Sequence, residues 1–570
     1  MIHQTVAEYL VNRLSDLGIS DFFGVPGDFN FNILTAIEGS EKTRWIGCSN
    51  ELNAGYAADG YARVRGIGAV VTTFGVGELS CINAIAGCYA ENVPLIHIVG
   101  SPAMSVQNSG RVVHHTLGNG DFEVFQKAHA HVVAATTRLT ADNATAEIER
   151  LIGIALSERR PVYINLPTDV CLQQVRGYVP RWQPDSSDLG MLDAALYEAA
   201  DLIKAAKRPV IVGDAKVMRF GVAEEFMALV EKLNVPATTL FMGKGLIDET
   251  HPNFVGTFVG DLLNPEANEI VRAADLIIAV APILGDQNTA AYTLSINRSK
   301  TIEIQHDHIM VNRARYDEIN IKDALTKLTK IVEPKTAALP ATSPVYSASG
   351  ADGALDGDNL YPVLQGFIEA GDIVFCETGS IGYGAVQFRL PKGAEFQSQS
   401  LWMSIGWATP AAFGAAIAAP DRRVVLLTGD GSHQLTAQEV GQMIRYGCNA
   451  IVFLLNNSGY TIERYLADDM DDPFNEIAKW NYHKLPEAFG ATNAVTAKVA
   501  TVAELSVALK EARGHSSGLS YIEATMDSHA APASLRTIRE GRAAVYNAPS
   551  EETGKLGRPG TPQDLAACPG

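Results

Sequence analysis

The chain of 570 residues has no excess of positive charge. It carries 45 lysines and arginines against 64 aspartates and glutamates, which gives a formal net charge of -19. A protein that holds nucleic acid by its phosphates needs a basic surface, so this composition argues against a nucleic-acid partner. We expect the acidic surface to serve solubility instead.

Cysteine is scarce and scattered, and no two cysteines form a CxxC pair. A zinc site is therefore not expected. The number is odd and several of these residues lie in apolar runs, which favours buried, reduced thiols in a cytosolic protein. The seven positions are Cys48, Cys81, Cys88, Cys171, Cys376, Cys448 and Cys568.

Long apolar runs are also missing, and "LIIAVAPIL" is too short to span a membrane. The N-terminal stretch "MIHQTVAEYLVNRLSDLGI" has an amphipathic helical pattern that includes acidic residues, which is not typical of a signal peptide. The sequence therefore predicts a soluble, cytoplasmic protein with no membrane partner.

What the chain does contain is a series of short runs that are apolar along their whole length. Examples are "AVVTTFG", "PLIHIVGS", "PVIVGDA", "RVVLLTGDG" and "AIVFLLNN". Such runs indicate parallel strands that are buried on both faces. Helical patterns such as Ala194–Ala205 and Ala223–Leu233 lie between them. The predicted fold class is α/β, with three doubly wound parallel-sheet domains.

Two stretches rich in polar, proline and glycine residues are typical of linkers. They are "QQVRGYVPRWQPDSSDLG" near 173–190 and "EPKTAALPATSPVYSASGADGALDGD" at 333–358. The polar, Gly/Pro-rich end of the chain is predicted to be a loosely held tail. The predicted division is 1–180, 190–335 and 355–545, followed by the tail at 546–570.

Polar residues follow two of these apolar runs at the predicted strand ends. Asp430 stands between two glycines after Val424–Leu427, and Asn456-Asn457-Ser458-Gly459 follows Ile451–Leu455. Glycines let the backbone approach an anion, and carboxylate, amide and carbonyl oxygens suit a hard cation. Each stretch alone could be an ordinary turn. Together they favour a magnesium ion that bridges the protein to a diphosphate.

This arrangement resembles the diphosphate-binding motif of thiamine diphosphate enzymes. "NELNAGYAADGYAR" and the following "TTFGVGELSCINAIAGCYAENVPLIHIVGSP" look like the first domain of the pyruvate decarboxylase family and its indolepyruvate and branched-chain relatives. The resemblance covers roughly residues 1–545. It implies pyrimidine-binding, middle and diphosphate-binding domains, with thiamine diphosphate and Mg²⁺ as cofactors.

The resemblance also implies the site residues. Glu51 would contact the aminopyrimidine ring, and Asp28, His114, His115 in "HHTLGNGDF" and Glu463 in "GYTIE" would supply and relay protons. Metal ligands would be Asp430, Asn457 and the carbonyl of Gly459. The cofactor-binding set would comprise Glu51, Thr378, Ser380, Met403, Ser404, Ile405, Asp430, Gly431, Ser432, Asn457, Gly459, Tyr460, Thr461 and Ile462.

The activity implied by the resemblance is non-oxidative decarboxylation of a 2-oxo acid to an aldehyde and CO2. Pyruvate is the default substrate, and phenylpyruvate or indolepyruvate are larger alternatives. The resemblance further implies a homodimer or homotetramer with sites at the subunit interfaces. A carboligase or oxidase of the same superfamily, and an inactive cofactor-binding scaffold, are the alternatives.

Three positions depart from the family pattern. Met403 stands where most of the branch has glycine, and Gly382 and Gln287 stand where some bacterial members have large aromatic residues. Loss of the two aromatic residues would leave more room for a substrate larger than pyruvate. Alternatively, other side chains refill that space. The sequence leaves both interpretations open.

Overall fold

The computed structural model describes residues 4–260, 263–290, 292, 298–336, 339–347 and 353–546, without the side chains of 541–546. Within these residues, no helix is both long and apolar enough to cross a membrane. The six cysteines in this part of the chain are free thiols, and all except Cys48 are buried. Cys568 and the predicted tail beyond Tyr546 lie outside the described residues.

The first sheet contains six parallel strands in the order β2-β1-β3-β4-β6-β5. Its strands are β1 Asp21–Gly24, β2 Arg44–Gly47, β3 Gly68–Thr73, β4 Leu95–Ser101, β5 Ala135–Arg138 and β6 Val162–Pro167. The helices are α1 Val6–Asp16, α2 Phe31–Glu38, α3 Glu51–Arg65, α4 Val76–Ala90, α5 Met104–Ser109, α6 Val124–His129, α7 Ala144–Glu158 and α8 Thr168–Cys171.

The middle sheet has seven strands in the order β13-β12-β11-β10-β7-β8-β9. Its strands are β7 Pro209–Gly213, β8 Ala237–Thr239, β9 Phe254–Thr257, β10 Leu276–Val280, β11 Thr301–Ile304, β12 His308–Val311 and β13 Ala314–Asp317. The helices are α9 Leu189–Ala205, α10 Ala215–Arg219, α11 Ala223–Leu233, α12 Pro265–Arg272 and α13 Ile321–Ile331.

One edge of this middle sheet departs from the predicted parallel arrangement. Strand β12 pairs antiparallel with both β11 and β13. Only 305–307 separate β11 from β12, and a parallel crossover needs a dozen or more residues. The short connections therefore force hairpins at this edge, while the other strands of the sheet pair in parallel.

The third sheet repeats the strand order of the first, as β15-β14-β16-β17-β19-β18, and all its pairs are parallel. Its strands are β14 Ile373–Cys376, β15 Glu395–Ser398, β16 Val424–Gly429, β17 Ala450–Asn456, β18 Val495–Val499 and β19 Ser520–Thr525. The helices are α14 Leu360–Phe367, α15 Ser380–Ala385, α16 Ala408–Ala418, α17 Asp430–Thr436, α18 Glu439–Arg445, α19 Thr461–Leu466, α20 Leu485–Ala488, α21 Val502–Gly514 and α22 Ala533–Tyr546.

Helix formation after the Gly-Asp-Gly motif begins earlier than the sequence pattern indicates. The stretch "LTAQEVGQMIRYG" predicts one helix behind the motif, whereas α17 starts at Asp430 itself and ends at Thr436. A second helix, α18, then runs from Glu439. Asp430 therefore lies at the first turn of a helix, directly behind strand β16.

The first and third sheets are joined within the chain by the crossing of α3 and α16. A Cβ on Gly60 would lie 1.9 Å from the carbonyl oxygen of Ala411, and a Cβ on Gly414 would lie 1.8 Å from that of Ala57. Only glycine permits backbones to approach this closely. The residues of α16 are all buried, so the crossing forms part of a core shared by both sheets.

Candidate active site

The carboxyl ends of β14 and β16 form the crevice of the third sheet. These strands are neighbours, and the chain leaves β14 toward β15 on the other side, so the strand order reverses between them. Ligands of open α/β sheets bind at such reversal points. Thr378 and Ser380 follow β14, and Asp430 follows β16. The structure thus brings these three predicted residues to one place.

A cavity of about 390 Å³ opens at this crevice. It is lined by all the predicted cofactor and metal residues of the third domain except Ser404, and by Glu463. Further lining residues that the sequence analysis did not name as site residues are Gly379, Ile381, Tyr383, Gly429 and Leu466, and Gln287 reaches the cavity from the middle sheet.

Three oxygen atoms face one another at one end of this cavity. The side-chain oxygen of Asn457 lies 3.2 Å from Asp430 Oδ1 and 3.0 Å from the carbonyl oxygen of Gly459. Ligands of Mg²⁺ that bind at about 2.1 Å along octahedral axes lie about 3.0 Å apart. The distances from the Asn457 oxygen to the other two oxygens therefore fit the predicted magnesium ligands.

The hydrogen bonds of Thr461 favour this orientation of the Asn457 amide. The Thr461 hydroxyl donates to the carbonyl of Ser528 at 2.9 Å, so its oxygen is left to accept from the Asn457 nitrogen at 2.8 Å. Turning the amide over would let its nitrogen donate to Asp430 and Gly459. That arrangement would require the Thr461 hydroxyl to give up Ser528. While the Thr461 hydroxyl donates to Ser528, the Asn457 oxygen faces Asp430 and Gly459, and no hydrogen bond links these three oxygens. Such a group of oxygens suits a cation.

The Asp430 carboxylate is 1% exposed, and burial raises its pKa to about 7. Backbone N–H groups of Gly431 and Gly459 donate to its two oxygens at 2.8 and 3.2 Å. Gly459 has a φ of +146°, and a Cβ there would lie 2.3 Å from the carbonyl oxygen of Asn475. A bound cation would stabilise the charged form of this buried carboxylate.

Met403 adopts a left-handed backbone conformation at the edge of the cavity, with a φ of 54°. This conformation explains why glycine is the residue expected here, since a side chain with a Cβ is strained in it. The backbone carbonyl at position 403 is retained, since a change of side chain does not remove it. Methionine therefore adds both strain and bulk to the cavity wall.

Glu377 is a buried acid beside the cavity that the sequence analysis did not name. Its carboxylate is 1% exposed and accepts hydrogen bonds from the N–H groups of Thr378, Gly406 and Ala408, each at 3.1 Å. Burial raises its pKa to about 7. The side chain thus ties the end of β14 to the segment that carries Met403 and Ile405. Its place beside the predicted Thr378 in "ETGS" was the available signal.

The space beside Gly382 is occupied by other groups. A Cβ on Gly382 would lie 2.9 Å from the carbonyl oxygen of Glu377, so a side chain at this position would point into packed backbone. Tyr383 lines the cavity instead, and its hydroxyl donates to Gln287 Oε1 at 2.7 Å. This geometry favours the interpretation that other side chains refill the space.

Ser404 points away from the cavity. Its hydroxyl lies 2.7 Å from the hydroxyl of Tyr56 and accepts from Asn83 Nδ2 at 3.1 Å. Its N–H donates to Gln399 Oε1 at 2.8 Å. The Ser404 side chain therefore joins the third sheet to helices α3 and α4, and the structure does not place it among the cavity-lining residues.

The predicted first-domain residues form a second cluster. His114 Nε2 lies 2.8 Å from Asp28 Oδ2, and the ligand atoms of Asp28, His114 and His115 lie within 4.8 Å of one another. The ring of Phe29 stacks on His114 at 4.8 Å. His115 has a φ of 64°, and such strain is frequent at functional sites. The structure thus brings one carboxylate and two imidazoles, which are common acid–base groups, to one place.

Glu51 is the first residue of α3, whose Asn50 side chain caps the N–H of Asn53. Burial raises the pKa of the Glu51 carboxyl, and Ser80 hydrogen-bonds to it. Glycine at position 77 leaves space for this carboxylate, because a Cβ there would crowd Glu51 Oε1 at 3.1 Å. The acid thus lies beside α4, on which the neighbouring Val76 and Leu79 are 55% and 40% exposed.

The predicted first-domain residues and the third-domain cavity are separate in the described part of the chain. Asp28, Glu51, His114 and His115 are absent from the lining of the third-domain cavity. Like Asp430, Asp28 follows a strand at which the order reverses, since β1 lies between β2 and β3. Each of the two sheets therefore carries predicted site residues at its own crevice.

The chain matches three family models, for the N-terminal TPP binding domain, the central domain and the C-terminal TPP binding domain of thiamine pyrophosphate enzymes. The matches cover residues 4–125, 196–330 and 377–524. Pyruvate decarboxylase isozyme 1 of Saccharomyces cerevisiae is 41% identical over 515 residues, which cover 88% of this chain and 91% of the yeast protein.

Two further relatives extend the comparison. Pyruvate decarboxylase of Aspergillus fumigatus is 42% identical over 508 residues, covering 85% of this chain and 87% of the relative. An alpha-keto-acid decarboxylase of Mycolicibacterium paratuberculosis is 37% identical over 530 residues, covering 92% and 94%. The chain therefore belongs to the thiamine pyrophosphate enzyme family, in the group that includes pyruvate and alpha-keto-acid decarboxylases.

Proposed function

We propose that the protein is a thiamine diphosphate- and Mg²⁺-dependent decarboxylase that converts a 2-oxo acid, by default pyruvate, into an aldehyde and CO2. The observation that carries the metal assignment is the set of facing oxygens of Asp430, Asn457 and Gly459 at the third-domain crevice. The relatives named as decarboxylases support the reaction class. A cytoplasmic location is part of this proposal and rests on the sequence alone.

Thiamine diphosphate, when bound, would supply a nucleophilic carbon and an electron-accepting ring for the decarboxylation. The chain's own residues bind, orient and protonate. Asp430, Asn457 and Gly459 would hold Mg²⁺, and Thr378 and Ser380 would help to seat the diphosphate. Ile405 and the carbonyl of Met403 would orient the cofactor's rings, which contributes to the rate by fixing the reacting geometry.

The acids and histidines would serve proton transfer. The partly buried Glu51 carboxyl, whose pKa is raised, would hold a proton on the aminopyrimidine ring. Asp28, His114, His115 and Glu463 would exchange protons with the substrate-derived atoms and with water. The hydrogen bond between Asp28 and His114 would hold the two side chains at a distance across which a proton can pass.

Two chains would complete each site, in a homodimer or homotetramer. The predicted first-domain residues are not among those that line the third-domain cavity, and the exposed Val76 and Leu79 of α4 lie beside Glu51. A crevice that carries only part of the machinery needs the complementary part from a partner chain. Val76 and Leu79 would be covered in that pairing.

Subunit complementation tests this proposal. Glu51→Gln and Asp430→Ala should each abolish most CO2 release from pyruvate with added Mg²⁺ and thiamine diphosphate. Unfolding and refolding the two variants together should restore roughly one quarter of wild-type activity, because half of the dimers are mixed and each has one intact site. Recovery near zero would show that Glu51 and Asp430 act within one chain. Full activity of either single variant would contradict its proposed role.

A substrate panel tests the side-chain preference. Tyr383 and Met403 line the cavity, so we expect pyruvate to be turned over with a higher kcat/KM than phenylpyruvate or indolepyruvate. Equal or higher values for the aromatic acids would favour the more spacious interpretation of Gly382 and Gln287. Absence of flavin absorbance in the purified protein is expected and distinguishes a decarboxylase from a flavin-containing oxidase.

A further inference from the structure

The segment that carries Glu51 is held by the third domain of the same chain. The N–H of Gly47 donates to the hydroxyl of Tyr446 at 2.9 Å, and the N–H of Ser49 donates to Glu439 Oε2 at 3.2 Å. The side chain of Asn53 donates to the same Glu439 oxygen at 2.8 Å. These bonds connect residues on both sides of Glu51 to helix α18 and to Tyr446, which directly follows it.

Glu439 has the features of a residue that orders its surroundings. Its side chain and that of Asn53 are fully buried, so breaking the hydrogen bond between them would be costly. A carboxylate that accepts from Ser49 and Asn53 makes stronger bonds than a neutral acceptor would. Since Asn50 also caps the N–H of Asn53, the first turn of α3 is constrained at both ends.

We propose that Glu439 is a positioning residue for Glu51, which it aims by fixing Ser49 and Asn53 on either side of that acid. The proposal rests on the proposed function of Glu51. Glu439 touches neither the cavity lining nor Glu51 in any bond described above. Its effect would therefore pass through the backbone between β2 and α3 rather than through the reacting atoms.

Glu439→Gln preserves the shape of the side chain and removes its charge. We expect kcat, per folded and cofactor-loaded site, to fall by about tenfold, which corresponds to about 1.4 kcal/mol of lost orientation. The dissociation constant for thiamine diphosphate with Mg²⁺ should stay within twofold, because the cradle around Asp430 is intact. Amide hydrogen exchange in 47–53 should accelerate by about tenfold.

Two variants keep the result interpretable. Glu439→Asp retains the charge and should restore part of both kcat and exchange protection, and it carries the same measurements if the glutamine variant does not fold. Asp214→Asn is the matched control. Asp214 is also fully buried and accepts from one backbone N–H, of Ile283 at 2.7 Å, and one asparagine amide, of Asn288 at 2.9 Å. It should leave exchange in 47–53 unchanged.

The outcomes separate this inference from the proposed function. A Glu439→Gln variant with wild-type kcat and wild-type exchange in 47–53, alongside an inactive Glu51→Gln variant, overturns the positioning role alone. A fully active Glu51→Gln variant overturns both. Slower turnover with unchanged exchange in 47–53 overturns the positioning role, because the first turn of α3 is then not loosened. Equal acceleration of exchange across the whole chain also overturns it, because this result indicates a general loss of stability.

Discussion

Replacing Met403 by glycine and by alanine offers a direct test of the strain at the cavity edge. In ordinary helix or strand conformations alanine is more stabilising than glycine by about 0.5–1 kcal/mol. Met403, however, has a φ of 54°. A residue with a Cβ pays about 1–2 kcal/mol in that conformation, and glycine does not.

At position 403 the usual order of stability, alanine above glycine, should therefore be reversed. We expect Met403→Gly to be more stable than Met403→Ala by about 1 kcal/mol after the greater entropy of unfolded glycine is subtracted. For a domain of about 190 residues this corresponds to a difference in Tm of about 2–4 °C. Both variants lose the packing contacts of the methionine side chain, and they differ from each other by only one methyl group. The comparison therefore measures the conformational energy of the backbone at position 403.

Thermal unfolding of the apoprotein, followed by circular dichroism, measures this difference. Val507 is a suitable control, because it is 68% exposed within helix α21, where alanine should exceed glycine in the usual way. An alanine variant at 403 that melts at or above the glycine variant would refute the assigned strain. We also expect Met403→Gly to retain decarboxylase activity, since the backbone carbonyl survives the change.

Three further predictions concern buried charged groups. Glu377→Gln replaces a charged acceptor of three N–H groups, so the KM for thiamine diphosphate should rise by about tenfold in titrations of apoprotein, and an unchanged KM would contradict its role. Burial raises the pKa of Asp214 to about 7, so the folded state binds its proton more tightly than the unfolded state does, and stability falls as pH rises from about 4 to 7. Asp214→Asn should flatten this fall, by up to about 1.4 kcal/mol per pH unit, in urea midpoints. Lys244→Met leaves Glu249 buried without its cation and should cost about 3–5 kcal/mol in urea unfolding, whereas a smaller loss would show that the pair is not desolvated.

The central strands were predictable because they are buried on both faces, which requires uninterrupted apolar runs such as Val424–Leu427. Strands β5, β15 and β18 lie at sheet edges and contain polar residues in "ATTR", "EFQS" and "VTAKV". An edge strand has one unpaired side and tolerates such residues, so the apolar signal is lost there. The domain boundaries at 180, 190, 335 and 355 stay predictions.

The third-domain site was predictable because the ends of neighbouring parallel strands necessarily meet at one edge. Asp430 and Asn457 are close for that reason. Glu377 and Glu439 accept hydrogen bonds from backbone groups that are far away in the sequence, such as those of Gly406 and Ser49. No local sequence pattern predicts such a bond. The division of the machinery between two crevices was inferred from the resemblance, and spacing along the chain could not have indicated it.

The crossing of α3 and α16 at Gly60 and Gly414 has an evolutionary consequence. Where main chains touch directly, the distance between the helices does not depend on the size of any side chain, so substitutions elsewhere on these helices can accumulate without shifting one sheet relative to the other. A single methyl group at either glycine would have to push the neighbouring helix outward. We therefore expect glycine to be retained at these two positions in related chains, although neither position is among the predicted site residues.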